Sequence, residues 1–219
     1  MLGLFVFVSL LTINVPYYAR DHRIHNLGNV GFGGFLHASL APFATYVIDN
    51  CAYNGVDIRQ KILEEHVESS DSVVDLGCGT GLSTPSGGTG VDTSVEMLQV
   101  AKAYYPRKKF VHGNAETFGE EKEFDASLLF YVLHEAPSDA RFRLINNALR
   151  VASRTIIADI SPAYRPSQMM LRGEPYILSY LRSIEWEVKG SAGAFGRSCL
   201  LYTSPSPRDR TRSRMPSSA

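Results

Sequence analysis

From residue 72 onward, short apolar runs alternate with stretches of helical period. Ser72–Leu76 (SVVDL) is apolar over strand length and ends in an acid and a glycine-rich loop, the pattern of a strand buried on both faces. Gly90–Asp92, Lys109–His112, Phe124–Phe130 and Arg154–Ile160 predict four further strands. Thr93, with Glu96 three residues later, reads as a capping box. The helix behind it aligns Met97, Leu98, Ala101 and Tyr105 until Pro106 stops it. Ser138 is read as capping a helix that carries Phe142, Ile145 and Leu149, and Pro175 as opening one that carries Tyr176, Tyr180 and Ile184. Strands alternating with helices predict an α/β fold with a doubly wound, mostly parallel sheet.

The pattern before residue 69 differs. Residues 16–36 hold four glycines and read as a loop. Phe35–Tyr53 reads as a buried helix kinked or split at Pro42. Val56–Val67 predicts a second helix, with Ile58, Ile62 and His66 on one side and Leu63 beside them. Residues 16–68 are thus a loop and helical cap on a core spanning 69–198.

Composition narrows the classes. A chain of 219 residues, 44% hydrophobic, is long enough to bury one sizeable core. Twenty-two basic against 22 acidic residues argue against a nucleic-acid partner held by bulk positive charge. Three cysteines (Cys51, Cys78, Cys199) exclude a disulfide scaffold and a four-thiolate zinc site. His22, His25 and His37 lie along the glycine-rich loop with no clustered acids or thiols, so no metal site is expected.

The two ends need separate treatment. Leu2 to Val15 is apolar apart from Gly3, Ser9, Thr12 and Asn14, but lacks a basic region before it and is short for a span of about 20 residues. Membrane association is therefore expected only through residues 1–15, and a cytoplasmic location is favoured over a secreted or anchored one. Residues 199–219 are rich in Ser, Pro and Arg and have no apolar period. Cys199 to Asp209 resembles the in-frame translation of a transposon-based sequencing adapter, and Ser213 to Ala219 the stretch beyond its index. The expectation is a non-native, disordered tail on a truncated core, leaving the fifth strand an unpaired edge with Ile156, Ile157 and Ile160 under-packed. Without the four arginines and one aspartate of that tail, 18 basic and 21 acidic residues remain, a net charge of −3.

Chemistry concentrates in Val73-Val74-Asp75-Leu76-Gly77-Cys78-Gly79-Thr80-Gly81. A strand running into Gly-x-Gly-x-Gly brings backbone close to a ligand at the carboxyl end of a sheet. A dinucleotide fingerprint would need Gly where Leu82 stands, and a phosphate loop would need Gly-Lys-Ser/Thr. An acid two residues before the first Gly suits a cationic amino-acid ligand instead.

This stretch resembles motif I of the class I S-adenosylmethionine-dependent methyltransferases. The resemblance continues through Gly90-Val91-Asp92-Thr93-Ser94, Met97-Leu98, Gly113-Asn114-Ala115-Glu116 and Phe124-Asp125, covering about residues 72–160. It implies a Rossmann-like domain with S-adenosylmethionine as cofactor and a small-molecule methyl acceptor at oxygen, nitrogen or carbon. Carried over, Asp75 organises the methionine ammonium end, while Gly77, Cys78, Gly79 and Gly81 form the loop. Asp92 and Thr93 meet the ribose, and Asn114 and Ala115 the adenine edge, although the family more often has Asp at the position of Asn114. Met97 fits the adenine face or plain core. One departure is plain: Leu82–Thr89 leaves room for at most one helical turn where the family carries a full helix.

Methyl transfer asks mainly for alignment, with a base where the nucleophile carries a proton. His134 and Glu135 after the fourth strand, and Asp159 closing the fifth, are the catalytic candidates. Tyr17, Tyr18, Arg20, His22 and Tyr131 are candidates for holding the acceptor, since loops over a rigid sheet carry recognition. A nicotinamide-dependent oxidoreductase and a non-catalytic module that binds S-adenosylmethionine are the competing readings.

Overall fold

The computed structural model describes residues 13–161, 165–187, 193–195 and 199–204. A central sheet holds β1 (Val73–Leu76), β2 (Thr89–Asp92), β3 (Lys109–His112), β4 (Phe124–Phe130), β5 (Ala152–Ile160), β6 (Gly193–Phe195) and β7 (Cys199–Ser204). Its order is β3-β2-β1-β4-β5-β7-β6. The first five strands pair in parallel and β7 runs antiparallel to β5, so the predicted parallel α/β core is present. The helices are α1 (Gly31–Tyr53), α2 (Ile58–His66), α3 (Val95–Tyr104), α4 (Ser138–Val151), α5 (Gln168–Gly173) and α6 (Ile177–Glu187). None of the described helices is long and apolar enough to cross a membrane.

Side-chain alternation along the strands divides the core in two. Val74, Leu76, Leu129 and Ile157 pack against Leu144 and Val151 of α4 and Ile177 and Tyr180 of α6. On the other face, Val73, Leu128 and Ile156 pack against Ile58, Ile62 and Leu63 of α2. A smaller cluster seats α3 through Leu98 and Ala101 against Cys78 and Phe110.

Several expectations are corrected. Ser94, not Thr93, caps α3: its hydroxyl accepts the Met97 N–H at 3.1 Å, and Glu96 instead accepts the Gly31 N–H. α1 starts at Gly31, inside the presumed loop, and runs through Pro42 as one 23-residue helix. It is not a core helix, since Phe32 (85%), Phe43 (68%) and Tyr46 (66%) face solvent. Its apolar residues are spread round the axis, so sequence alone did not mark a buried stripe. Short 3-10 helices at Tyr17–Arg20 and Ile24–Asn26 occupy the rest of the presumed loop.

The C-terminal expectation is corrected as well. Residues 199–204 are not irregular: they form β7, with Thr155 opposite Ser204 and Ile160 opposite Cys199. Ile156, Ile157 and Ile160 are all buried. The physical reason is the edge itself, whose unpaired backbone groups are a template for any segment of β propensity, and Leu-Leu-Tyr-Thr is one. Residues 205–219 of the tail, and residues 1–12 of the apolar N-terminal segment, lie outside the described residues.

Candidate active site at the carboxyl ends of the parallel strands

A cavity of about 820 Å³ opens where β1 to β5 end, the place where open α/β sheets bind ligands. One wall is the sheet edge: Gly77–Thr80 after β1, Asp92 and Thr93 after β2, Asn114 and Ala115 after β3, and Tyr131, Val132, His134 and Glu135 after β4. The opposite wall comes from residues 16–29, from α1 (Leu40, Ala41, Ala44, Ile48) and from Met170, Gly173 and Glu174 around α5.

The glycine loop divides into ligand-facing and packing positions. Gly79 has φ +52°, and a Cβ built there meets no atom within 4 Å, so a strip of bare backbone faces the cavity. Gly81 does not line the cavity: its Cβ would strike the Phe110 ring at 2.5 Å, making it a packing glycine. Gly77 is intermediate, lining the cavity with Val132 2.7 Å from where its Cβ would be. Cys78 is buried, and burial pushes its thiol well above the usual range, which leaves it unreactive.

Asp75 does not line the cavity. Strand alternation puts it on the Val73 face, where Oδ2 accepts hydroxyl hydrogen bonds from Ser83 (2.9 Å) and Thr84 (2.7 Å). The segment Leu82–Gly88 holds no helix, and these two bonds tie it back to the end of β1 instead. Asp75 therefore organises the loop from behind, with its carboxyl pushed up to about 6 by burial against the pull of Thr84 and Ser83.

Asp92 lines the cavity at the end of β2. Its Oδ2 accepts the Gly79 N–H and its Oδ1 the Ser94 N–H, each at 2.8 Å. A carboxylate offers about four lone-pair sites, so each oxygen retains capacity toward the cavity. Asn114 accepts the Glu116 N–H at 2.9 Å and donates to the Asn14 carbonyl at 2.9 Å, which fixes its amide. Ala115 and Met97 line the cavity beside it, both buried.

Two catalytic candidates from different strands meet. His134 Nδ1 lies 2.7 Å from Asp159 Oδ1, and Asp159 also accepts the backbone N–H groups of Leu133, His134 and Ile160. Asp159 is fully buried and away from the cavity wall, so it positions His134 rather than touching a ligand. Burial works against charge on His134, yet Asp159 outweighs it and raises the imidazole pKa. With Nδ1 committed to Asp159, Nε2 is the nitrogen left for chemistry.

Glu135 pairs with His25, Oε1 to Nε2 at 2.8 Å, on the cavity wall. Among the acceptor candidates, Tyr18 and Tyr131 line the cavity. The Tyr18 hydroxyl donates to Glu116 at 2.7 Å, and the Tyr131 hydroxyl sits 3.1 Å from that of Tyr53. Tyr17, Arg20 and His22 are exposed and are not brought to it.

Sequence reasoning gave no site role to four wall residues: His25 and His37, weighed there only as metal ligands, and Glu174 and Arg59. Arg59 lies over the Tyr131 ring at 4.4 Å, and its buried Nη1 has no hydrogen-bond partner among the described residues, Asp49 being 3.6 Å away. No local signal marks these four, because each comes from a segment distant from the glycine motif. Among the described residues, no three His, Cys, Asp or Glu side chains are arranged to hold a metal ion.

A parallel sheet carrying β7 reversed beside β5, with a glycine loop and a strand-end carboxylate over its carboxyl edge, defines a Rossmann-like architecture. Residues 73–155 match the family model of the methyltransferase domain. That match covers 83 of the 219 residues, from β1 into β5. An uncharacterized protein of Methanocaldococcus jannaschii is 31% identical over 97 residues, covering 42% of this chain and 38% of that protein. The chain thus spans under two fifths of the curated relative it matches.

Two solved structures show the same fold. A TehB-like SAM-dependent methyltransferase from Corynebacterium glutamicum is 16% identical with a TM-score of 0.54, covering 78% of this chain and 98% of that one. The N-methyltransferase NodS from Bradyrhizobium japonicum is 14% identical with a TM-score of 0.53, covering 73% and 90%.

Proposed function

We propose that this chain binds S-adenosylmethionine along the carboxyl ends of β1 to β3 and transfers its methyl group to a small molecule held beneath α1 and α5. The observation that carries this reading is the corner of Gly79 and Asp92. A left-handed glycine presents bare backbone to open space and is bonded to a carboxylate that still has lone pairs for a diol. Asp92 would accept from both ribose hydroxyls, and Met97, Asn114 and Ala115 would flank the adenine. Arg59 Nη1, which is paired with Asp49 at 3.6 Å but makes no hydrogen bond among the described residues, would meet the methionine carboxylate, a contact that favours Arg. Asp75 supports this site only through Ser83 and Thr84.

When bound, the cofactor supplies an electrophilic methyl group on a sulfonium. The protein's part is alignment and proton handling. His134, oriented by Asp159, would take a proton from the acceptor at Nε2, and the apolar wall of α1 would exclude water from the reacting centre. The test is release of S-adenosylhomocysteine from S-adenosylmethionine over a panel of small alcohols, amines and carbon acids, with His134→Ala alongside. Turnover that depends on His134 supports the reading. Binding with no turnover on any member of the panel speaks for the non-catalytic module instead.

A further inference from the structure

The far end of the cavity carries more negative charge than it balances. His25 has Glu135 Oε1 2.8 Å from Nε2 and Glu174 Oε1 2.7 Å from Nδ1. A neutral imidazole has one N–H, so a ring with a carboxylate oxygen against each nitrogen is held as the imidazolium. One positive charge then lies between two negative ones. His37, its ring 4.3 Å away, does not make up the difference: burial and the charge of His25 hold it neutral, with a pKa pushed down to about 4. Arg59 is engaged elsewhere on the wall, near Asp49 and Tyr131.

The surplus has an address. Glu174 is 5% exposed and lines the cavity, and its Oε2 is buried with no hydrogen-bond partner among the described residues. Buried carboxylate oxygens are normally paired, so a donor belongs at this position. The same cavity is lined by Leu40, Ala41, Ala44 and Ile48 of α1, an apolar stretch beside the polar His37 and Thr45. From this arrangement we propose that the acceptor is an amine on an apolar body, its N–H taken by Glu174 Oε2 and its carbon skeleton laid along α1. The proposal rests on reading the cavity as a methyl-transfer site.

Calorimetry on the full chain saturated with S-adenosylhomocysteine tests it, using n-hexylamine, 1-hexanol and hexanoate as probes. Hexylamine is expected to bind at least tenfold tighter than hexanol, with hexanoate weakest. Glu174→Gln should remove that preference while S-adenosylhomocysteine affinity stays the same. Hexanol binding as tightly as hexylamine, hexanoate binding best, no binding of any of the three, or a preference retained in Glu174→Gln would each overturn the proposal. The wild-type comparison decides alone if that variant does not fold. Failure of the wild type to bind S-adenosylhomocysteine at all strikes the methyltransferase reading instead, which separates the two.

Discussion

The backbone N–H of Gly79 donates to Asp92 Oδ2 at 2.8 Å, tying the loop after β1 to the end of β2 across 13 residues of sequence. One carboxylate thus shapes the glycine loop and faces the cavity. Asp92→Ala should weaken S-adenosylmethionine binding by about 1.5–3 kcal/mol, the usual worth of charged hydrogen bonds. Asp92→Asn, which keeps one acceptor oxygen, should lose less. An unchanged dissociation constant in Asp92→Ala removes this residue from the site.

The last two glycines of the loop, Gly79 and Gly81, should respond differently. Gly79→Ala introduces left-handed strain of about 1 kcal/mol but no clash, so the fold should hold while cofactor affinity drops. Gly81→Ala adds the same strain and drives a methyl group into the Phe110 ring, for a stability loss of about 2 kcal/mol or more. Denaturant midpoints and ligand titrations on both variants check this, and equal stability losses would contradict it.

The ion pair of His134 with Asp159 gives a spectroscopic prediction. Asp159→Asn removes the charge that raises the imidazole pKa, so the His134 titration midpoint followed by NMR should move down. His134→Ala should cut turnover roughly 10²–10⁴-fold with cofactor affinity held, as for loss of a general base. A loss of stability with no specific loss of turnover would make His134 a structural residue.

pH should act on the cluster around His25. Burial opposes its charge, but Glu135 and Glu174 outweigh that and push the imidazole up to about 10 from 6.5. A folded-state pKa above the unfolded one stabilises fully below pH 6.5, and the contribution is lost as pH rises toward 10. Glu135, held near 2 against its burial by His25, adds stability above pH 4.5 that is lost on acidification. The stability difference between wild type and His25→Gln should therefore peak between about pH 4.5 and 6.5 and shrink on the alkaline side. A difference that grows between pH 7 and 10 would reverse the sign and refute the pairing.

What the sequence made legible followed the range of the physics. Val73–Gly81 and Asp92 are read from local rules, strand apolarity and glycine turns, and the structure places Gly79 and Asp92 at the cavity. Asp75 lies off the cavity wall, and its place depends on which face of β1 it occupies and on Ser83 and Thr84, which no local pattern gives. His25 and Glu174 are 149 residues apart and became neighbours only through the packing of α5 against the 3-10 helix at Ile24–Asn26, which no period or motif announces. The tail failed for another reason: its composition speaks of disorder, but the open edge of β5 recruits six of its residues into β7.

The most direct test of the account is a pair of calorimetric titrations of the full chain, one with S-adenosylhomocysteine and one with NAD. The account predicts saturable binding of S-adenosylhomocysteine that is weakened in Asp92→Ala, and no binding of NAD. Binding of NAD with no heat from S-adenosylhomocysteine would contradict it.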